Sequence, residues 1–198
     1  MNIDEAGEAF IIQEETGGRG YYEKVYGCSF IWPGSSSGAT ALVGIDIGYY
    51  TEKEVEDIFE PLTSSQELEL IQAGRGLKKL AARDYVPKLK NIVFPWEEAV
   101  SVFKKFTLPK FIKLTKYVFP GVENLSGGAQ AALLSLVFNR GVSLKGPSRK
   151  EMLEIRNLVP KKDYEGIAKQ IKAMKRLWST GGLPARRDRE AVLVLKAN

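Results

Sequence analysis

The chain has 198 residues, with 29 Lys and Arg against 24 Asp and Glu for a net charge of +5, one Cys and no His. This length predicts one domain, or one domain with two lobes. A chain of this size buries enough surface on folding to be stable without a disulfide or a structural metal ion. The missing His excludes Ser-His and Cys-His pairs, His-ligated zinc and an imidazole general base, so any chemistry must come from carboxylates, hydroxyls, Lys, Tyr or Cys28.

Short elements are predicted in the first fifty residues. Residues 5–15 place apolar side chains at helical spacing, and the glycines within 16–20 end this helix because glycine is unfavourable in a helix interior. Further along, glycines bound two β-type runs at 41–43 and 45–47. They predict a small hairpin within residues 32–48.

From Thr51 onward the sequence predicts helices. Thr51 and Ser64 each begin a capping box, in which Glu follows three residues later. Pro95 precedes a helical stretch over 96–117, in which Pro109 is expected to be a break. The further predicted helices are 126–139, about 149–158, 164–178 and 186–195. The sequence therefore predicts a small β-containing lobe attached to a helical lobe.

Carboxylates are the natural catalysts in a chain without His. Asp46 lies between two isoleucines and two glycines, where an acid is unexpected on packing grounds. If Gly44 helps to form the turn, Thr40 and Asp46 sit across the hairpin and point into the same cleft. With an acid at the end of the first helix, Glu14 or Glu15, this would suit glycoside hydrolysis, which needs one protonated acid and one carboxylate. The two glutamates equally fit a solvated helix end.

Charge is unevenly distributed along the chain. Residues 1–69 carry three basic and fourteen acidic side chains, whereas residues 140–198 carry fifteen basic and six acidic ones. The basic C-terminal part suggests an anionic polymer as partner: nucleic acid, a wall polymer or a lipid surface. Solvated helix faces are the other interpretation. Because the basic helices have no interleaved surface aromatics, we expect no nucleic-acid partner.

Four blocks of the sequence resemble the phage-type (T4-like) lysozyme superfamily, and most closely its branch with the pesticin muramidase domain. They occur in the family's order and extend over nearly the whole chain. The first two are Glu15-Thr16-Gly17-Gly18-Arg19 with Tyr21-Tyr22, and the run from Trp32-Pro33-Gly34 to Tyr49, similar to WPGG…SGVTIGxGYDLGY. The third is Gln130 to Gly141, similar to a helix ending in FNxG. The fourth is Arg176-Leu177-Trp178 followed by Gly182-Leu183-Pro184-Ala185-Arg186-Arg187 and Glu190-Ala191, similar to a terminal GLxxRRxxEA signature.

The resemblance implies one lysozyme-like α+β domain over residues 1–198, with a glycine-rich β lobe over about 16–50, a helical lobe over about 51–198 and a cleft between them. It also implies a muramidase that cleaves the β-1,4 bond between N-acetylmuramic acid and N-acetylglucosamine, without metal or cofactor. By motif position Glu15 matches the general acid, Asp46 the second carboxylate and Thr40 the active-site threonine.

Other residues would bind the substrate or support the acid. Trp32, Asn139 and Arg186 are the expected substrate-binding residues. Arg186 or Arg187 resembles the arginine that pairs with the catalytic glutamate in relatives. For Asn139, which ends a predicted helix, a C-cap and a contact with the cleft both stay open. Whether the reaction inverts or retains depends on the separation of the carboxyl groups, about 6.5–9.5 Å against about 5–5.5 Å.

The chain departs from the family pattern in the hairpin. The stretch TIGxGYD is Thr40-Ala41-Leu42-Val43-Gly44-Ile45-Asp46 here, which loses one glycine and one tyrosine, and Ser35 replaces the second glycine of WPGG. Leu42 in place of glycine would narrow the approach of a sugar or alter the turn. A non-catalytic wall-binding protein with this fold is therefore the alternative to an enzyme.

The expected partners are peptidoglycan glycan strands, bound by a monomer. No segment approaches the about 20 apolar residues that span a bilayer, so we expect no stable membrane insertion. The first five residues are acidic where a secretory signal is basic and then apolar. A phage endolysin, a virion lysin and a toxin delivered by a secretion apparatus all fit these features.

Overall fold

The computed structural model describes Met1 and residues 3–196. It is 71% helical and has one small two-stranded antiparallel sheet, which confirms the predicted combination of helices with a small β element. The chain divides into two compact units: Met1–Glu14 with Pro109–Asn198 form the first, and Glu15–Leu108 form the second. The lobes predicted over about 16–50 and 51–198 of one lysozyme-like domain stay a prediction. In the described part of the chain no helix has the length and apolar character to cross a membrane.

The α-helices and strands follow one another along the chain, joined by short 3-10 segments and by two π-helical segments, Tyr22–Tyr26 and Phe103–Thr107. The elements are α1 (Glu5–Thr16), α2 (Arg19–Tyr21), β1 (Thr40–Ala41), β2 (Ile45–Asp46), α3 (Glu52–Phe59), α4 (Ser65–Gly74), α5 (Lys79–Tyr85), α6 (Trp96–Val102), α7 (Leu108–Val118), α8 (Gly127–Arg140), α9 (Lys150–Leu158), α10 (Tyr164–Ala173) and α11 (Gly182–Leu195).

The first unit is built around α8. Residues 129–137 of this helix are all buried, so other elements cover it on every side. Its apolar side chains join those of α9, α10 and α11 in one core that includes Val118, Met152 and Ile171. The N-terminal helix packs closely on α8 at Gly7, where an added Cβ would lie 2.9 Å from the Cβ of Ala131. A side chain at position 7 would therefore push the two helices apart.

The second unit contains the sheet and an aromatic core. The rings of Phe30, Phe59 and Phe94 pack against one another at centroid distances of 5.5–5.8 Å, and the Tyr22 hydroxyl donates a hydrogen bond of 2.9 Å to the Phe94 carbonyl. Both predicted capping boxes are confirmed, at Thr51 and Ser64. Each satisfies backbone N–H groups at the helix start that would otherwise have no partner.

Two predictions of local structure are wrong. Pro109 does not break the helical path, which continues from α6 through the π-helical segment into α7. Pro109 is the second residue of α7 and follows the π-helical segment directly, so the departure from regular α geometry that a proline requires lies in the turn before it. The strands are also shorter than the runs 41–43 and 45–47, since residues 42–44 form the turn.

Candidate active site

The hairpin brings Thr40 and Asp46 together. They are direct partners in the antiparallel register, and Ala41 pairs with Ile45 beside them. Thr40 also pairs through its backbone with Ile31, with two hydrogen bonds of 2.8 Å. Directly opposite residues on an antiparallel pair project to the same face. The prediction that these two residues sit across a hairpin turned by Gly44 is therefore confirmed.

Backbone amides hold the Asp46 carboxylate. Both of its oxygens accept hydrogen bonds of 3.0 Å from the N–H of Gly38, and Oδ1 also accepts one of 2.9 Å from the N–H of Gly48. The side chain is half-buried. Burial raises the pKa of Asp46 above its usual value, although the two amides and the positive charge of Lys78 oppose that rise. The carboxylate is thus fixed in orientation and less acidic than a solvated aspartate.

Gly38 is the residue that allows this arrangement. A Cβ at position 38 would lie 2.3 Å from Asp46 Oδ1 and 2.7 Å from the backbone of Gly48. We expect Gly38→Ala to displace the carboxylate and to cost about 1–3 kcal/mol in the free energy of unfolding, measured by urea denaturation. Gly20→Ala is the matched control, because no atom lies within 4 Å of its Cβ and the backbone is helical. A Gly38→Ala variant as stable as the control would contradict the steric argument.

Leu42 occupies the left-handed region at the first turn position. Its φ is 55°, a conformation that costs a residue with a Cβ about 1 kcal/mol, and its side chain is only 2% exposed. Burying a leucine contributes about 2–3 kcal/mol, which exceeds that cost. The departure from glycine in the family pattern is therefore accommodated by packing the side chain into the interior of the second unit.

The two glutamates at the end of α1 belong to different units. Glu14 is in the first unit, where its side chain is only 4% exposed and receives two hydrogen bonds from Arg189, at 2.5 and 2.8 Å. The Nε of Arg186 lies 3.9 Å from the same carboxylate. The interpretation of Glu14 as a solvated residue at a helix end is therefore wrong. Glu15 is half-exposed in the second unit, and its charge contributes with burial to a raised pKa of Tyr26.

A buried ionic network lies at the α8–α11 contact of the first unit. Oε1 of the fully buried Glu190 accepts hydrogen bonds from Ser135 (2.7 Å), Arg186 (3.1 Å) and Arg187 (3.0 Å). Burial raises the pKa of Glu190, and the two guanidiniums and the hydroxyl oppose the rise. The GLxxRRxxEA-like motif thus joins α8 to α11 through charge-assisted hydrogen bonds.

Three predicted substrate-binding residues have other described contacts. Arg186 donates to the carbonyl and hydroxyl of Ser135 as well as to Glu190. Asn139 accepts a hydrogen bond of 3.2 Å from Arg187, and Gly141 ends α8, so the C-cap interpretation of Asn139 is wrong. The indole N–H of Trp32 donates to the Ser37 carbonyl at 3.2 Å. Their roles toward a substrate, and the pairing of an arginine with Glu15, stay predictions.

Sequence reasoning missed the role of Gly38, and it did not separate Glu14 from Glu15. The signal for Gly38 was its place in the SGxT segment two residues before Thr40, but contact with Asp46 depends on the hairpin register. For Glu14 no local signal separates it from Glu15. Among the described residues no group of three or more Cys, Asp or Glu side chains is placed to hold a metal ion.

No family model matches the sequence, and no curated protein matches it.

Proposed function

We propose that the protein is a peptidoglycan hydrolase, a muramidase, that acts through Glu15, Thr40 and Asp46. The observation that carries the proposal is the Thr40–Asp46 pair, in which a half-buried carboxylate is fixed by two backbone amides beside a threonine hydroxyl. A carboxylate held in this way is suited to orienting a water molecule or stabilising a positively charged sugar. Glu15, in the same unit, supplies the candidate acid.

In the proposed reaction Glu15 donates a proton to the glycosidic oxygen as the bond to the anomeric carbon breaks. Positive charge then develops on the sugar ring, and the Asp46 carboxylate stabilises it. The Thr40 hydroxyl, which donates a weak hydrogen bond of 3.4 Å to the Gly38 carbonyl, is free to rotate toward a water molecule between it and Asp46. The water adds to the anomeric carbon and gives its proton to the Asp46 carboxylate beside it, and exchange with solvent then restores a protonated Glu15 and an ionised Asp46.

The direct test is digestion of purified peptidoglycan, with mass spectrometry of the products. A muramidase leaves a reducing N-acetylmuramic acid end. A reducing N-acetylglucosamine end would instead indicate a glucosaminidase, and a 1,6-anhydro product a lytic transglycosylase. The anomer formed first, followed by NMR, separates inversion from retention. Sedimentation with sacculi but no released products would support the non-catalytic wall-binding alternative.

The charge of Lys78 gives a test of Asp46 in particular. Lys78 lowers the pKa of Asp46, against the larger raising effect of burial. We expect Lys78→Gln to raise that pKa further, so the acidic limb of the pH–activity profile should move to higher pH. The sign follows because Asp46 acts as a carboxylate and activity is lost as pH falls through its pKa. Lys90→Gln, an exposed lysine of the same unit, should leave the profile unchanged. An unmoved limb in the Lys78 variant would argue against an ionised Asp46 in the rate-limiting step.

A further inference from the structure

Two arginines of the first unit lie beside one tryptophan, and a third, Arg149, is close enough to Arg140 for its charge to act on it. The guanidinium carbons of Arg140 and Arg187 are 5.2 and 5.9 Å from the centre of the Trp178 ring. Arg140 also donates a hydrogen bond of 2.6 Å to the carbonyl of Ser148, the residue before Arg149. We call Arg140, Arg149 and Arg187 the arginine cluster.

Several N–H groups of the arginine cluster have no hydrogen-bond acceptor within the part of the chain that the structure describes. They are Nε of Arg140, Nη1 of Arg149, and Nε and Nη1 of Arg187, and all of these atoms are buried. Arg187 as a whole is fully buried. Its Nε lies 3.0 Å from Glu190, but without the alignment of a hydrogen bond. Buried donors without acceptors are rare in proteins, because each one loses its hydration.

The acids near the arginine cluster do not balance its charge. Glu190 is shared by Arg186 and Arg187. Glu151 binds Arg176 through both of its oxygens, and the Nζ of Lys150 lies 4.0 Å from it. Glu14, whose charge also acts on Arg187, is shared by Arg186 and Arg189. Six guanidiniums and one ammonium therefore share three carboxylates.

Burial, together with the unbalanced charge, lowers the pKa values of two arginines of the cluster. Burial lowers the pKa of Arg187 to about 10, and the neighbouring charges of Arg186 and Arg140 add to this effect, against the opposing charges of Glu190 and Glu14. Burial and the charges of Arg149 and Arg176 lower the pKa of Arg140, with Glu151 opposing them. Like charges held together out of water are unfavourable unless an anion joins them.

We infer that the arginine cluster is a binding site for a small oxyanion, a phosphate or carboxylate group. The planar guanidinium presents donors in a fork that matches two oxygens of such a group, and the unpartnered N–H atoms supply those donors. Arg140, Arg149 and Trp178 are half-exposed, and the adjoining Asn139 and Gly141 are exposed, so the cluster lies next to the surface although its unpartnered N–H atoms are themselves buried. The site consists of residues of the first unit alone and does not rest on the muramidase proposal.

The test is an NMR titration of the full chain with sodium phosphate, at an ionic strength held constant with sodium chloride. The indole N–H signal of Trp178, assigned with Trp178→Phe, should shift and saturate. Arg149→Gln should weaken the dissociation constant at least about tenfold, since it removes a charged donor pair. Arg149→Lys should bind less tightly than the parent, because it keeps the charge but not the fork. Lys172→Gln, an exposed change of equal charge on α10, should bind as the parent does.

Two further arms make the outcome decisive. A parallel titration with sodium acetate assigns the site to carboxylates if acetate saturates it, and to phosphate if only phosphate does. In sodium chloride alone, Arg149→Gln should have a melting temperature no lower than that of the parent, because the change removes an unbalanced charge. An unchanged melting temperature would show that the variant's weaker phosphate binding does not come from unfolding. The inference is overturned if neither anion gives a saturable shift, if chloride gives the same one, or if Arg149→Gln binds phosphate with the parent's dissociation constant.

Discussion

Glu15→Gln is expected to lower the rate of peptidoglycan cleavage by about 10²–10⁴-fold, because the amide has no proton to give to the glycosidic oxygen. Glu15 is half-exposed at the end of α1, so the same change should leave the melting temperature within a few degrees of the parent. The measurement is the initial rate of muropeptide release from purified sacculi, with thermal melts of the same preparations.

Glu14→Gln is the matched control, since it makes the same chemical change one residue away. Its carboxylate is buried against Arg189 and Arg186, so the expected loss is in stability, not turnover. The opposite pattern, with Glu14→Gln inactive and Glu15→Gln active, would move the acid role to Glu14. Full activity in both variants would remove the acid from this helix altogether.

Glu190→Gln is expected to cause the largest loss of stability. The change keeps the size of the side chain but withdraws the counter-charge from Arg186 and Arg187 and turns an NH₂ group toward their donors. Removing one partner of a buried ion pair costs about 3–5 kcal/mol. For a chain of this size that corresponds to a fall of roughly 6–20 °C in melting temperature. Urea denaturation and calorimetry measure both quantities.

Glu154→Gln provides the comparison for that prediction. It is the same change at an exposed position of α9, and we expect it to stay within about 0.5 kcal/mol of the parent. If Glu190→Gln were equally mild, the network at the α8–α11 contact would contribute little, and its arginines would have to be satisfied in another way.

Local chemistry made much of the fold predictable. The capping boxes at Thr51 and Ser64 predict where helices begin, because a hydroxyl and a glutamate three residues apart satisfy backbone N–H donors within one turn. The turn at Gly44 placed Thr40 opposite Asp46, because strand residues alternate strictly between two faces. Pro109 was predicted to break the helix because a proline removes an N–H donor, whereas here a π-helical turn directly before it lets the helical path continue, which the local sequence does not reveal.

The candidate site depended more heavily on tertiary structure. The sequence by itself determined which residue types were available for chemistry. The chain has no His, and its candidate acids and hydroxyls lie at a helix end and in a hairpin. Only the tertiary structure decided that the backbone N–H of Gly38 donates a hydrogen bond to the Asp46 carboxylate, eight residues away. It also decided which of the two adjacent glutamates is paired, because Glu14 accepts hydrogen bonds from Arg189, 175 residues away. Spacing along the chain encodes contacts within a turn or a hairpin, whereas burial and the pairing of distant charges arise when separate elements pack together.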